Sequence, residues 1–144
     1  IENYHSTHEL CDHIDFNVKS EGLIINVISG QLEQVLNNLF DNGLRYSKKK
    51  TGKATLAIEI GIDKKDGDDQ PYLHVIDDGA GIDEESEGQL FEPFHTTEST
   101  GTGLGLYISK ELCEAIQSQL IYRKTKSGKS CFSIYFSHPE RFVA

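Results

Sequence analysis

Three polar side chains in the segment NNLFDNGLRYS, residues 37–47, have the spacing of one helix face. Asn38, Asn42 and Arg45 stand at i, i+4 and i+7, which separates them by roughly 40–60° around a helix axis. An amide oxygen can complete the ligand shell of Mg²⁺ beside phosphate groups, and a guanidinium can neutralise phosphate oxygens. The stripe therefore suits a metal-bridged triphosphate, although taken alone a solvated helix face explains it more simply.

A carboxylate inside a glycine turn follows at DDGAGI, residues 77–82, directly after the apolar run YLHVI. Gly79 and Gly81 allow positive φ angles and close backbone approach, so the turn can press against a flat ligand. Asp77 would then offer an acceptor for an exocyclic amine such as that of adenine. Taken alone, an Asp-Gly hairpin turn explains the same residues.

The segment GTGLGL at residues 101–106 opens a predicted helix, and backbone amides at a helix N-terminus bind phosphate. Its GxGxG spacing differs from the GxGxxG dinucleotide fingerprint, and it follows a loop where that fingerprint follows a strand. The full P-loop pattern GxxxxGK[ST] is also absent from the sequence. A phosphate site of a different kind is therefore predicted here.

The elements that must position these segments begin with two predicted strands, at 14–18 and 23–28, followed by a helix at 31–46. Ser29 is the predicted N-cap of that helix. The lysines at 48–50 suit the negative end of its dipole and need no further role.

The second half of the chain predicts a pair of strands at 55–60 and 72–76 around a polar hairpin loop at 63–70. A long loop at 77–102 follows, with a short helix near 84–89, and loops of that length are usually functional. A helix at 103–117 comes next.

Two closing strands are predicted at 120–124 and 131–136, around the turn SGKS. The strands fall in clusters between helices, without the regular alternation of a parallel sheet. This order predicts an α+β fold, a two-layer α/β sandwich with helices on one face of a mixed, mostly antiparallel sheet.

Composition limits the possible functions. A chain of 144 residues with 37% hydrophobic content closes one core, which predicts a single domain at 1–144. The net charge of −9 argues against nucleic acid as a partner. No apolar run approaches the roughly 20 residues that span a bilayer, and the start lacks a secretory signal, so a soluble chain is expected, as a fragment of a longer protein.

The cysteines and the N-terminal histidines do not predict a metal site. Three cysteines without a CxxC pair favour reduced thiols over a disulfide framework or a zinc site. His5, His8 and His13 lie close together in sequence, but no regular ligand spacing accompanies them.

In their order along the chain, the segments resemble the nucleotide-binding boxes of the GHKL ATP-binding superfamily, and most specifically the catalytic and ATP-binding domain of bacterial sensor histidine kinases. NNLFDNGLRYS resembles the N box, DDGAGI the G1 box, LFEPF at 90–94 the F box and GTGLGLYIS the G2 box. The resemblance spans about residues 29–137 and implies the Bergerat fold. NGLRYS, FHTTESTGTGLGLYISKELCE and the cysteine-containing last strand are most similar to the branch that controls type IV pilus genes.

The resemblance implies ATP and Mg²⁺ as ligands. Asn42 would ligate the Mg²⁺, Asn38 and Arg45 would face the phosphates, Tyr46 would pack on the base and Asp77 would accept the adenine amine. The other residues that it assigns to the nucleotide pocket are Gly79, Gly81, Ile82, Phe91, Phe94, Gly101, Thr102, Gly103, Leu104 and Gly105.

The same resemblance implies a mobile lid between Phe91 and Gly101. Phe91 and Phe94 would anchor it, while Gly101, Gly103 and Gly105 would let it meet the phosphates at the start of the following helix.

One residue separates kinases from hydrolases in this superfamily. The related ATPases carry a glutamate four residues before the magnesium asparagine, where it acts as general base on water. Asn38 stands at that position, and an amide cannot accept the proton, so water attack is poorly supported. Glu33 lies at a different angle on the helix and is not expected to substitute.

The phosphoacceptor implied by the resemblance is a histidine on a separate dimerisation domain, followed by an aspartate of a response regulator. His8 is not expected to be that acceptor, because it lies only about 30 residues before Asn38, too few for the helical hairpin. The resemblance implies a homodimeric full-length kinase, a monomeric fragment and a cytoplasmic domain of an inner-membrane protein. The isolated domain should bind ATP without autophosphorylating.

Two other functions share this fold. A noncatalytic nucleotide-sensing or interaction module would be expected to show decayed boxes, whereas those in this sequence are intact. A serine kinase of the anti-sigma type would phosphorylate a small antagonist protein. The lid and N-box residues favour the sensor kinase.

Overall fold

The computed structural model describes residues 13–18, 29–65, 68–93 and 104–136. Five strands and three helices lie in these ranges. In chain order they are β1 (His13–Val18), α1 (Ser29–Thr51), β2 (Thr55–Lys65), β3 (Asp68–Asp77), α2 (Glu84–Glu87), α3 (Gly105–Ala115), β4 (Gln119–Lys124) and β5 (Ser130–Tyr135).

The five strands form one sheet in the order β1-β2-β3-β5-β4. β1 runs parallel to β2, since the chain crosses between them through α1, and every other neighbouring pair is antiparallel. The predicted mixed, mostly antiparallel sheet is therefore confirmed. Its one parallel pair is a strand–helix–strand unit that the clustering of strands in the sequence did not predict.

Helices α1 and α3 share one hydrophobic core with the sheet, which confirms the predicted α+β sandwich. From α1 the core takes four side chains of its apolar stripe, namely Val35, Leu39, Phe40 and Leu44. The buried members of the core are Ile14, Val35, Leu39, Phe40, Leu44, Ala54, Leu56, Ile58, Leu73, Val75, Leu90, Cys113, Leu120, Phe132, Ile134 and Phe136.

Helix α1 is longer than its apolar stripe predicts. It continues through Lys48–Lys50, because lysine is a good helix former and favours the negative end of the dipole. Gly52 ends it with φ +84°, and the Gly52 amide donates to Lys48 O at 2.9 Å. The predicted N-cap role of Ser29 is wrong, since Ser29 is itself the first helical residue.

The hairpin of β2 and β3 is also longer than predicted. The ladder pairs Ile62 with Pro71 and continues to Lys65 and Asp68, so the predicted loop at 63–70 is wrong over most of its length. Backbone hydrogen bonds extend an antiparallel ladder without help from side-chain propensity. The predicted strand at 23–28 lies outside the described residues.

The predicted short helix, second long helix and closing strands are confirmed with small shifts at their ends. Asp83 caps α2 by accepting a hydrogen bond from Ser86 N at 2.7 Å. Helix α3 begins at Gly105, after Leu104 as its N-cap residue. The turn between β4 and β5 contains Gly128, whose φ is +87°.

Candidate nucleotide-binding site

Helix α1 lies close against the end of β3, and Gly43 makes that approach possible. A Cβ at position 43 would fall 2.5 Å from Leu56 Cδ2 and 3.4 Å from Asp77 Cβ. The missing side chain brings the polar stripe of α1 beside the last residue of β3. Two of the predicted site segments therefore meet here.

Asp77 ends β3 and is only 1% exposed. Its Oδ1 accepts a hydrogen bond from Gly79 N at 2.8 Å. Burial, aided by the charge of Asp78 and opposed by the Gly79 hydrogen bond, raises the pKa of Asp77 from 3.8 to about 6. The carboxylate is thus ionised at neutral pH, inside the protein.

The Asp-Gly hairpin interpretation of this turn is wrong. β3 pairs with β2 and with β5, and β5 begins only at Ser130. The chain therefore leaves the sheet after Asp77 and runs through α2 and α3 before it returns. The glycine turn lies at the end of the sheet.

Glycine is needed at position 79 because a side chain there would have no space, and not because of its backbone angles. A Cβ there would lie 2.8 Å from Asp77 Oδ1, 2.8 Å from Tyr46 Cβ and 3.2 Å from the Tyr46 carbonyl carbon. The predicted positive φ is wrong for Gly79, whereas Gly81 has φ +84°. The turn thus approaches the backbone of α1 so closely that no side chain fits between them.

The far side of the turn is held by β4. Ile82 N donates to Tyr122 Oη at 3.0 Å, and Tyr122 Oη lies 3.0 Å from Ser130 Oγ. Ile82 also packs against the core. The turn is therefore fixed on both sides, by α1 and by the last two strands.

The three residues of the predicted polar line on α1 differ in how far they are buried. Asn42 is 7% exposed, Asn38 is half-buried and Arg45 is exposed. Arg45 Nη2 donates to Asn42 Oδ1 at 3.4 Å. Asn42 Nδ2 is the one buried side-chain nitrogen or oxygen in the described part of the chain that has no hydrogen-bond partner.

A buried amide N–H without a hydrogen-bond partner destabilises the folded protein by about 1–3 kcal/mol, unless a ligand accepts a hydrogen bond from it. Rotation of the Asn42 amide by half a turn exchanges its oxygen and its nitrogen. The group can therefore present an oxygen to Mg²⁺ or an N–H to a phosphate. The donor set at this position fits a metal-bound nucleotide.

Asn38 connects α1 with α3. Its Nδ2 donates to Ser109 Oγ at 3.2 Å and reaches Gly105 O at 3.5 Å. Leu104 provides no side-chain cap to α3, and Gly105 is exposed. The predicted phosphate-binding helix start thus lies beside the polar line.

Phe91 is the first residue of the predicted lid and packs against the core. Its ring meets Phe132 edge-to-face, with centroids 6.3 Å apart, and Lys110 Nζ lies 5.8 Å from its centroid. These contacts suit an anchor. The remaining predicted site residues, namely Phe94, Gly101, Thr102 and Gly103, lie outside the described residues.

A cavity of about 430 Å³ opens beside Phe91, between α3 and β4. Neither Asp77 nor Asn42 lines it. Of the predicted site residues in the described part of the chain, Phe91 lines the cavity, which is separate from Asp77 and Asn42.

Two polar residues of this region were missed by sequence reasoning. Ser47 and Asp78 hydrogen-bond to each other beside the glycine turn. Each directly follows a predicted site residue, Tyr46 or Asp77, and that adjacency is the only sequence signal. The contact spans 31 positions, so no local pattern predicts it.

The described cysteines and histidines support no metal centre. Cys113 and Cys131 are free and buried, and burial raises the pKa of Cys113 to about 12. His13 lies against Asp15, while His5, His8 and Cys11 are outside the described residues. Within the described ranges, no three His, Cys, Asp or Glu side chains are grouped as metal ligands.

A sandwich that brings a buried acid, a glycine turn and a polar helix stripe together defines a nucleotide-binding domain of the GHKL class. The chain belongs to the family described as "Histidine kinase-, DNA gyrase B-, and HSP90-like ATPase", whose model matches residues 28–140. No helix in the described ranges has the length and apolar character needed to cross a membrane.

Curated relatives support the kinase part of that family. The chain is 50% identical over 111 residues to the sensor protein kinase PilS of Pseudomonas aeruginosa, covering 77% of this chain and 21% of that protein. It is 30% identical over 123 residues to the sensor histidine kinase YkoH of Bacillus subtilis, covering 81% and 25%. The chain therefore spans about a fifth to a quarter of the length of these relatives.

Solved structures show the same fold. The histidine kinase AdeS of Acinetobacter baumannii superposes with a TM-score of 0.69 at 25% identity, covering 96% of this chain and 60% of that one. The nucleotide-free catalytic domain of histidine kinase ThkA gives 0.70 at 22% identity, covering 94% and 82%. The predicted resemblance to sensor histidine kinases is confirmed, and its finer part is matched by the 50% identity to PilS.

Proposed function

We propose that this chain is the catalytic and ATP-binding domain of a sensor histidine kinase. It binds Mg-ATP in the pocket at the end of β3 and donates the γ-phosphoryl group to a histidine on a separate dimerisation domain. The observation that carries the proposal is the buried Asp77 carboxylate, with Gly79 pressed against Tyr46 beside it, in a chain of this family.

The base end of the pocket selects adenine by hydrogen bonding. Asp77 is ionised above about pH 6 and accepts a hydrogen bond from an exocyclic amine. A guanine would place a carbonyl oxygen at the same point, where two acceptors repel. Gly79 lets the turn close against Tyr46, and Tyr46 would pack on the base.

The phosphate end is served by the polar line and by the start of α3. Asn42 would hold Mg²⁺, and Arg45, Asn38 and the backbone at Gly105 would meet the phosphates. When bound, the ion neutralises phosphate charge and orients the γ-phosphoryl group. Phe91 would anchor the start of the lid through its contact with Phe132 and the nearby Lys110.

Transfer of the γ-phosphoryl group to histidine, and not to water, is favoured because Asn38 cannot act as a general base. Its amide donates to Ser109 and cannot take a proton from water, and Glu33 is exposed on α1. The γ-phosphoryl group is therefore left for an imidazole nitrogen. The bond from phosphorus to the β–γ bridging oxygen breaks, a P–N bond forms, ADP leaves and the imidazole gives up its N–H proton. An aspartate of a response regulator then accepts the phosphoryl group.

The partners and location follow from the same proposal. The full-length kinase is a homodimer through its helical domain, and this chain alone is a monomer. It lies in the cytoplasm as part of an inner-membrane sensor. The similarity to PilS supports type IV pilus genes as the regulated target.

Reconstitution with the histidine-bearing domain of the longer protein tests the proposal. With ATP labelled at the γ-phosphate, we expect label on that domain, labile in acid and stable in base, as a P–N bond requires. At low ATP concentration Asp77→Asn should strongly reduce the label, and Asn37→Ala, an exposed neighbour on α1, should leave it unchanged. Acid-stable label on a small antagonist protein would indicate a serine kinase, and nucleotide binding without label would indicate a noncatalytic module.

A further inference from the structure

Asp78 is held by three different elements next to the base end of the pocket. Its Oδ1 lies 2.8 Å from Lys129 Nζ, and its Oδ2 accepts a hydrogen bond from Thr55 Oγ1 at 2.6 Å. Its backbone N–H donates to Ser47 Oγ at 2.8 Å. These contacts reach α1, the start of β2 and the turn before β5, so one residue ties the glycine turn to most of the sandwich.

Ser47 completes this network. It is fully buried, and its hydroxyl donates to Thr55 O at 2.7 Å while it accepts from Asp78 N. Both roles of the hydroxyl are thus used inside the protein. Ser47 directly follows Tyr46 in α1, and Asp78 directly follows Asp77, the last residue of β3. The hydrogen bond between Asp78 and Ser47 therefore sets the distance between Tyr46 and Asp77.

We propose that Asp78 is a positioning residue for the nucleotide pocket. Together with Ser47, Thr55 and Lys129 it fixes the turn at 78–81, so that Asp77 and Gly79 meet the base in one arrangement. The inference rests on the proposed function in taking a nucleotide as the ligand.

The network also sets the charge around Asp77. Burial raises the pKa of Asp77, and the charge of Asp78 adds a smaller contribution. Lys129, Thr55 and, at longer range, Lys50 lower the pKa of Asp78 itself. On β5, burial raises the pKa of the Cys131 thiol, and the charges of Glu59 and Asp77 add smaller contributions in the same direction. Loss of the Asp78 charge should therefore lower the pKa of Asp77, and loss of the Lys129 charge should raise it.

Calorimetric titration with ADP and with a nonhydrolysable Mg-ATP analogue, from about pH 5 to about pH 8, tests the proposal. Asp78→Asn should weaken both nucleotides by about tenfold and move the pH midpoint of binding downward. Lys129→Met should move that midpoint upward. Thr55→Val should weaken both nucleotides equally, and Thr55→Ser, which keeps the hydroxyl, should restore binding.

Controls separate this inference from the proposed function. Asp69→Asn, at the opposite end of β3 and exposed, should change neither affinity nor midpoint. A native chain that binds no nucleotide would refute the proposed function itself. Normal native binding with an unchanged affinity and midpoint in Asp78→Asn and Thr55→Val would overturn the inference alone. A variant that merely unfolds would lower the number of binding sites without moving the midpoint, and that result would also overturn it.

Discussion

The base end and the phosphate end of the proposed pocket differ in how many of their polar groups are hydrogen-bonded within the protein. At the base end, Asp77 is buried with a hydrogen bond to Gly79, and the turn packs against Tyr46. At the phosphate end, Asn42 has an amide nitrogen without a partner, and Arg45 is exposed. Under the proposed function, the base end is preformed, whereas the phosphate end would be completed by the nucleotide and its metal ion.

The difference follows from the elements that carry each end. The base end lies where a central strand leaves the sheet, and it is enclosed by α1, β4 and β5. The phosphate end lies along the polar line of α1, from buried Asn42 to exposed Arg45, and at the start of α3. Substitutions at the base end should therefore affect all nucleotides, and those at the phosphate end only the phosphate and metal contribution.

Gly79→Ala should have the largest effect. The new Cβ would lie 2.8 Å from both Asp77 Oδ1 and Tyr46 Cβ, and overpacking of this kind costs about 1–3 kcal/mol. We expect affinity for every adenine nucleotide to fall by about 100-fold, which is about 2.7 kcal/mol, as measured by calorimetry. Gly88→Ala is the matched control, because no atom lies within 4 Å of its new Cβ. Equal affinities for the two variants would refute a preformed base end.

Asp77→Asn should come next, with affinity lower by about 30-fold, because a hydrogen bond to a charged acceptor contributes about 1.5–3 kcal/mol. An amide oxygen still accepts from Gly79 N, so the turn should keep its shape. Competition of ATP and GTP analogues measures the effect. A variant that still prefers adenine as strongly as the native chain does would separate Asp77 from base recognition.

The same residue predicts how stability depends on pH. The folded pKa of Asp77, about 6, is above its ordinary 3.8, so the folded state holds the proton more tightly than the unfolded state. Ionisation of the buried carboxyl therefore lowers the free energy of unfolding. This loss is absent below about pH 4, grows as pH rises and reaches about 3 kcal/mol above about pH 6. Asp77→Asn should therefore unfold at a higher temperature than the native chain at neutral pH, and equally at low pH. A lower melting temperature at neutral pH would contradict this.

Asn42→Ala should have a smaller and more selective effect. We expect the Mg²⁺-dependent gain in affinity for a triphosphate analogue to fall by about tenfold, while binding without Mg²⁺ changes little. Thermal stability should be retained, because the variant removes a buried nitrogen that has no partner. Asn37→Ala on the exposed face of α1 is the control. Equal losses with and without Mg²⁺ would exclude Asn42 as the metal ligand.

Ser109→Ala should have the smallest effect. It removes the hydroxyl that Asn38 contacts at 3.2 Å and should lower the free energy of unfolding by about 1 kcal/mol, with affinity changed about twofold. Denaturant unfolding measures the first quantity. A large loss of affinity here would mean that the phosphate end is as preformed as the base end.

Local patterns predicted the elements but not all of their ends. Helix α1 and strands β2 and β3 were found from their apolar periodicity. The extension of the hairpin to Lys65 and Asp68 was not, because the ladder depends on backbone pairing in residues of low β propensity. The end of α1 at Gly52 depends on a positive φ that only a structure displays.

The candidate site was predictable where one segment carries the chemistry. Asp77 and its glycines stand together in sequence, and so do Asn38, Asn42 and Arg45. The contacts of Asn38 with Ser109 and of Ser47 with Asp78 join positions 71 and 31 residues apart, and no pattern within one segment encodes them. The sequence thus points to candidate ligand-facing side chains within one segment, but it does not predict the contacts between segments that position them.

Calorimetric titration of this chain with a nonhydrolysable ATP analogue, with and without Mg²⁺, tests the central claim most directly. We predict saturable binding that Mg²⁺ strengthens, that Asp77→Asn weakens, and whose Mg²⁺ dependence disappears in Asn42→Ala. A folded native chain without saturable binding would contradict the nucleotide pocket, and with it the assignment of this chain as the ATP-binding domain of a histidine kinase.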